Sequence, residues 1–204
     1  MRKLMQISVN RSLRGSLPVV IALGLFACSG TEVERETQED LTVEEAVDGV
    51  ETASLIAPTT PEPEVPTDRQ ALFEFLSSGE YRQFAASETG LHQSAGPHTE
   101  FGRPVRVFMN YAMASSLEAG NTEHPEGAAA VKELYEPDGE TPLGWAVMLK
   151  TQADTAEGDG YFWYEIVSTT DPTAIFGEAG NGIPLCVGCH TTGSDYVLSE
   201  FPLN

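Results

Sequence analysis

Apolar and polar positions change period once along the second part of the chain. After Asp68, the apolar residues Leu72, Phe75 and Leu76 fall three and four apart, which is the spacing of one helix face. Asp68 is a capping residue and Gly79 a stop, so the pattern predicts a helix between them, with Tyr81 and Phe84 as apolar positions that could carry it further. Beyond Gly102 the runs become short and β-branched. Residues 105–109, 128–135, 143–150 and 161–167 read as four strands. Pro137-Asp138-Gly139 and Glu157-Gly158-Asp159-Gly160 lie between them as turn signals at hairpin spacing, and residues 112–118 suit one short helix. The predicted fold is mainly β (α+β): a small antiparallel sheet with peripheral helices.

The first part of the chain has no such periodicity. Arg2, Lys3, Arg11 and Arg14 precede an apolar stretch of eleven residues at 17–27, well short of the roughly 20 that a membrane-spanning helix needs. This is the layout of an export signal over residues 1–27. It ends Leu25-Phe26-Ala27-Cys28, which resembles the lipobox of bacterial lipoproteins. The expectation is a lipid anchor on Cys28 at the periplasmic side of the cell envelope, on the outer membrane, against the alternative of an ordinary signal peptide containing a cysteine.

Charge then separates a spacer from a domain. Residues 29–68 hold twelve acids and one base, Arg35, with no aromatic residue. Such a segment cannot bury enough apolar surface to offset its chain entropy. Residues 28–66 are therefore expected to be an acidic, proline-containing disordered tether, and residues 67–204 the folded domain. The whole chain carries 11 Lys+Arg against 31 Asp+Glu, a formal net charge of -20. Nucleic acid is an unsuitable partner for that balance, whereas a basic redox partner would be attracted to it.

Candidate chemistry concentrates at Cys186-Val187-Gly188-Cys189-His190. C-x-x-C-H is the attachment pattern of a c-type haem, in which two thiols bond to the haem vinyl groups and the adjacent His ligates iron. The competing readings are a redox disulfide and half of a zinc site. The first lacks a preceding βαβ pattern, and the second lacks further Cys or His at ligand spacing, since His92, His98 and His124 are scattered. One covalent haem c is expected, with Cys186 and Cys189 attached and His190 axial. Fourteen residues follow His190, none of them Met or His. Met109, Met113 and Met148 fall within strand or helix patterns, where Met usually packs a core, so the expected iron is five-coordinate.

The order of motifs resembles the cytochrome P-460 family, which includes the β-sheet cytochromes c prime. Arg106-Val107-Phe108-Met109-Asn110-Tyr111-Ala112 is similar to the family's strand leading through Asn into a short helix. Pro125-Glu126-Gly127, Val131-Lys132-Glu133 and residues 144–150 with Met148-Leu149-Lys150 follow in the family's order. Cys186 to His190 and Asp195-Tyr196-Val197 close it. Residues 29–100 share little of the resemblance.

What the resemblance implies is a homodimer with haem pocketed against the sheet, and a small nitrogen ligand: nitric oxide bound, or hydroxylamine oxidised. It implies that Lys132 matches the lysine joined to the porphyrin in the enzyme branch, against the alternative of a solvated strand lysine. A distal carboxylate shortly before C-x-x-C-H would be Glu178, the acid between Phe176 and Leu185, with Asn181 as a non-ionisable alternative. Phe108 is nominated as an aromatic cap over the ligand. A membrane-tethered electron-transfer cytochrome c is the alternative function.

Overall fold

The computed structural model describes residues 55–98 and 102–204. The signal segment, Cys28 and most of the expected tether lie outside the described residues. Among the described residues, seven antiparallel strands form one sheet: β1 (Ala86–Ser87), β2 (His92–Gln93), β3 (Pro104–Met109), β4 (Ala129–Tyr135), β5 (Pro142–Lys150), β6 (Tyr161–Ile166) and β7 (Gly180–Asn181). The spatial order is β1-β3-β4-β5-β6-β7, with β2 also paired to β3. Three α-helices of the described residues accompany it: α1 (Arg69–Ser78), α2 (Tyr111–Glu118) and α3 (Pro184–His190). Among the described residues no helix is long and apolar enough to cross a membrane.

The four long strands occur where the apolar runs predict them, because turns join β4, β5 and β6 as successive hairpins, α2 carries the chain from β3 to β4, and each run alternates between two buried faces. Alternation assigns every residue a side. One face holds Phe108, Val131, Val147, Tyr164 and Trp145, covered by Leu72, Phe73, Phe75, Leu76 and Tyr81. The other holds Val107, Met109, Ala130, Met148, Tyr161 and Trp163, covered by α2, Ile183 and the C-terminal segment. Because both faces are covered, the strands read as continuous apolar runs.

Caps set the helix limits. The Asp68 carboxylate accepts the backbone N–H groups of Gln70 and Ala71, and Gly79, at φ 77, ends α1 in the left-handed conformation. The chain therefore does not extend α1 through Tyr81; residues Glu80–Gln83 make a separate 3-10 turn that buries Tyr81. Asn110 caps α2 by accepting from Met113 N–H, accepts a second bond from Ala129 N–H, and donates to Gly127 O, which ties α2 to the start of β4.

Residues 55–66, assigned from composition to the tether, belong structurally to the domain. Glu62 accepts the N–H of Ala85 at 2.5 Å and that of Tyr111 at 2.8 Å, Val65 packs on the first core, and Leu55 packs on the second.

Candidate functional site

Two cross-strand rows build the floor of a cavity of about 600 Å³ on the second face. In the first row Val107, Lys132, Ala146 and Glu165 are paired in succession across β3, β4, β5 and β6; in the second row the sequence is Met109, Ala130, Met148, Trp163. Cys186, Cys189 and His190 of α3 face the same cavity. Its size is that of a small-molecule or cofactor pocket.

α3 begins with Pro184 at its first turn, where the missing N–H costs nothing. Gly158, at φ 104, lies against this helix: a Cβ there would come within 2.7 Å of Val187. That close seat holds the helix on the turn between β5 and β6. Cys186 and Cys189, three apart on one helix side, are free thiols. Burial, more than the nearby Glu165 and Cys189, pushes the Cys186 thiol up to about 11.

His190 donates from Nδ1 to the carbonyl oxygen of Tyr196 at 2.8 Å, which leaves Nε2 as its uncommitted nitrogen. The ring centre lies 4.7 Å from the Trp163 ring and 6.4 Å from that of His98. Burial lowers the His190 pKa to about 4, with the Tyr196 bond opposing and Lys132 and His98 reinforcing the shift. The imidazole is therefore neutral near pH 7, as a metal ligand must be.

Lys132 belongs to a hydrogen-bonded chain in the cavity. His98 Nδ1 is 2.8 Å from Glu165 Oε2, and His98 Nε2 is 3.1 Å from Lys132 Nζ. With Nδ1–H donated to the carboxylate, Nε2 accepts from the lysine. Burial pulls the Lys132 ammonium below the ordinary lysine value, against the opposing influence of Glu165 and Glu88. A second pair, Glu88 and His92 at 3.0 Å, lies at the cavity edge. Glu165 Oε1 and Trp163 Nε1 are buried without a hydrogen-bond partner, and both residues line the cavity.

Beyond α3 the chain turns sharply. Asp195 and Tyr196 have φ values of 45 and 67, left-handed conformations that cost non-glycine residues about 1–2 kcal/mol each. The Asp195 carboxylate, 2% exposed, accepts from Lys150 Nζ at 2.6 Å, His124 N–H at 2.7 Å and Tyr161 OH at 3.0 Å, and also from Thr155 Oγ1. Burial works against its ionisation, but these donors outweigh it and hold the carboxyl below the usual carboxylate range.

The structure gathers Lys132, Cys186, Cys189 and His190 and leaves out the other two nominated residues. Phe108 does not line the cavity. It lies between Val107 and Met109 and so points to the opposite face, where its ring meets Tyr81 edge-on at 5.1 Å. Glu178 is exposed and is not among the lining residues; the carboxylate linked to the lysine, through His98, is Glu165, on the same face of the sheet in β6. Trp163 supplies the aromatic ring nearest His190. Glu165 is a lone charge inside the otherwise apolar β6, and that signal could have marked it; Lys132 shares β4 with the charged Glu133.

The donor set fits a covalently held haem: two thiols on one helix side, a neutral imidazole with a free nitrogen, an apolar floor, and orphaned polar atoms in the wall. Compared with known proteins, the chain matches no family model and no curated protein.

Proposed function

We propose that this is an exported c-type haem protein, related to the cytochrome P-460 family, that binds nitric oxide or oxidises hydroxylamine or another small nitrogen species. The observation that carries the reading is the convergence of Cys186, Cys189 and the uncommitted Nε2 of His190 on one cavity with Lys132 in its floor. Cys186 and Cys189 would hold the haem by thioether bonds and His190 would be its protein ligand. When bound, the haem supplies an iron that takes a small ligand and passes electrons to an acceptor.

The chain's own groups supply what oxidation of a nitrogen hydride also needs, a base in hydrogen-bonding reach. Glu165 fixes the tautomer of His98, and His98 Nε2 shares a proton with Lys132 Nζ. Ala130, Ala146, Met148 and Val107 keep the surrounding wall small and apolar. Lys132 is the residue for a porphyrin cross-link. Export through the signal at 1–27, anchoring by Cys28 and a homodimer complete the reading, with the mature chain from Cys28 carrying 7 bases against 31 acids and favouring a basic redox partner.

The test is an absorption spectrum of the purified, denatured protein with pyridine. Covalent haem in the wild type and none in Cys186→Ala/Cys189→Ala is the expected result; haem-free wild type made alongside a functioning haem-attachment system would overturn it. Nitric oxide binding without turnover identifies the binding branch, and hydroxylamine turnover with a chemical oxidant, dependent on Lys132, identifies the enzyme. Met109 and Met148 line the cavity, which favours tethered electron transfer as the second reading; a Met-to-iron charge-transfer band would select it. Mass spectrometry showing a mature chain beginning beyond Cys28 would remove the lipid anchor.

A further inference from the structure

We infer that Asp195 is a positioning residue for His190, acting through the carbonyl oxygen of Tyr196. The inference rests on the reading of His190 as a haem ligand for its functional meaning, but not for its geometry. The Nδ1–H of His190 is held by Tyr196 O at 2.8 Å, and the direction of that carbonyl follows from the backbone angles of Asp195 and Tyr196. Both residues are left-handed. A tyrosine adopts that conformation only when its surroundings impose it.

The Asp195 carboxylate is what imposes it. Its donors come from separate parts of the molecule: the His124 N–H in the loop before β4, the ammonium of Lys150 at the end of β5, the Thr155 hydroxyl in the following turn, and the Tyr161 hydroxyl at the start of β6. Lys150 and Tyr161 are fully buried and paired with each other in the ladder. The clamp therefore attaches the turn after α3 to the sheet itself. The turn has little freedom of its own. Ser194 and Val197 bridge across it, and a Cβ on Gly193 would meet Val197 O at 2.3 Å.

The consequence is chemical. A hydrogen bond at Nδ1 selects the tautomer whose lone pair is on Nε2, orients the ring, and raises its basicity as a ligand. An aspartate that never touches the imidazole thereby sets all three. A purely structural Asp195 would stabilise the C-terminal segment and leave the imidazole proton where it is.

The test compares the full-length wild type with Asp195→Asn/Lys150→Met, which removes the carboxylate and its buried countercharge together. Asn is tolerated in the left-handed conformation much as Asp is, so the turn keeps its local preference while losing its anchor. Tyr161→Phe, which deletes one donor, is the milder second variant. Nitrogen-15 NMR of the His190 ring in haem-free chain reads the tautomer, and the ferrous iron–histidine stretch in haem-loaded chain reads ligand basicity. Expected are a single Nδ1–H form in the wild type, a mixture of tautomers in the double variant, a smaller change in Tyr161→Phe, and a downshifted stretch, with amide spectra still folded. An unchanged tautomer in a folded double variant overturns the inference. A wild type that never acquires haem overturns the haem reading instead, and the tautomer measurement still decides the role of Asp195.

Discussion

Lys132 and Glu165 lie two strands apart in one cross-strand row, and the residue between them is Ala146. That methyl group leaves space above the sheet for His98 to bridge the two charges. Ala146→Leu is expected to fill the space, costing about 1–3 kcal/mol of stability from overpacking and abolishing the small-ligand binding proposed above in whatever protein folds. Urea denaturation and carbon monoxide titration measure the two effects separately, and undiminished carbon monoxide binding would contradict the placement of the cavity.

The opposite face predicts the reverse pattern. Phe108 packs edge-on against Tyr81, away from the cavity. Phe108→Ala should cost about 3–5 kcal/mol while the folded fraction keeps whatever carbon monoxide affinity the proposed haem gives the wild type. A changed affinity with unchanged stability would restore Phe108 to the pocket.

The ion pair of Lys150 and Asp195 is buried on both sides. Lys150→Met strands a buried carboxylate and is expected to cost about 3–5 kcal/mol, whereas adding Asp195→Asn should return much of that loss. A double-mutant cycle by chemical denaturation gives the coupling directly, and additive single effects would show that the pair is not coupled.

Alkaline stability depends on tyrosines. Burial, followed by the hydrogen bond to Glu133, raises the Tyr81 phenol well above 10, and the same causes raise Tyr135 to about 12. Above pH 10 the unfolded chain ionises these groups while the folded chain keeps them protonated. The unfolded state then binds fewer protons, so stability falls as pH rises. Tyr81→Phe should be less stable at neutral pH and show a shallower decline between pH 10 and 12. Absorbance at the tyrosinate band, followed with pH, checks that some tyrosines ionise only on unfolding.

Most of the sheet was legible in the chain because short, nearly continuous apolar runs and Gly/Pro turns are local signals, and α1 was legible because Asp68 and Gly79 bracket it. The two-residue strands β1, β2 and β7 are too short to carry a period, and they form only because β3 and β6 offer edges to pair with. Cys186, Cys189 and His190 announced themselves by spacing. Glu165 and His98 did not, since their partners are 67 and 34 residues away and their meeting depends on strand register. Phe108 was assigned to the pocket by likeness of segment, although parity alone excludes it once Lys132 is there: Val107, its neighbour in sequence, is the residue paired with Lys132.

Lys132 and Glu133 are adjacent in the chain yet serve opposite sides of the sheet. One enters the cavity, and the other receives the hydroxyls of Tyr81 and Tyr135 and the guanidinium of Arg82. Strand β4 therefore works like a reading frame. A single inserted or deleted residue in the strand upstream of Lys132 would put the lysine into the packed core and the glutamate into the cavity. What such a strand must preserve is its count of residues as well as their identity.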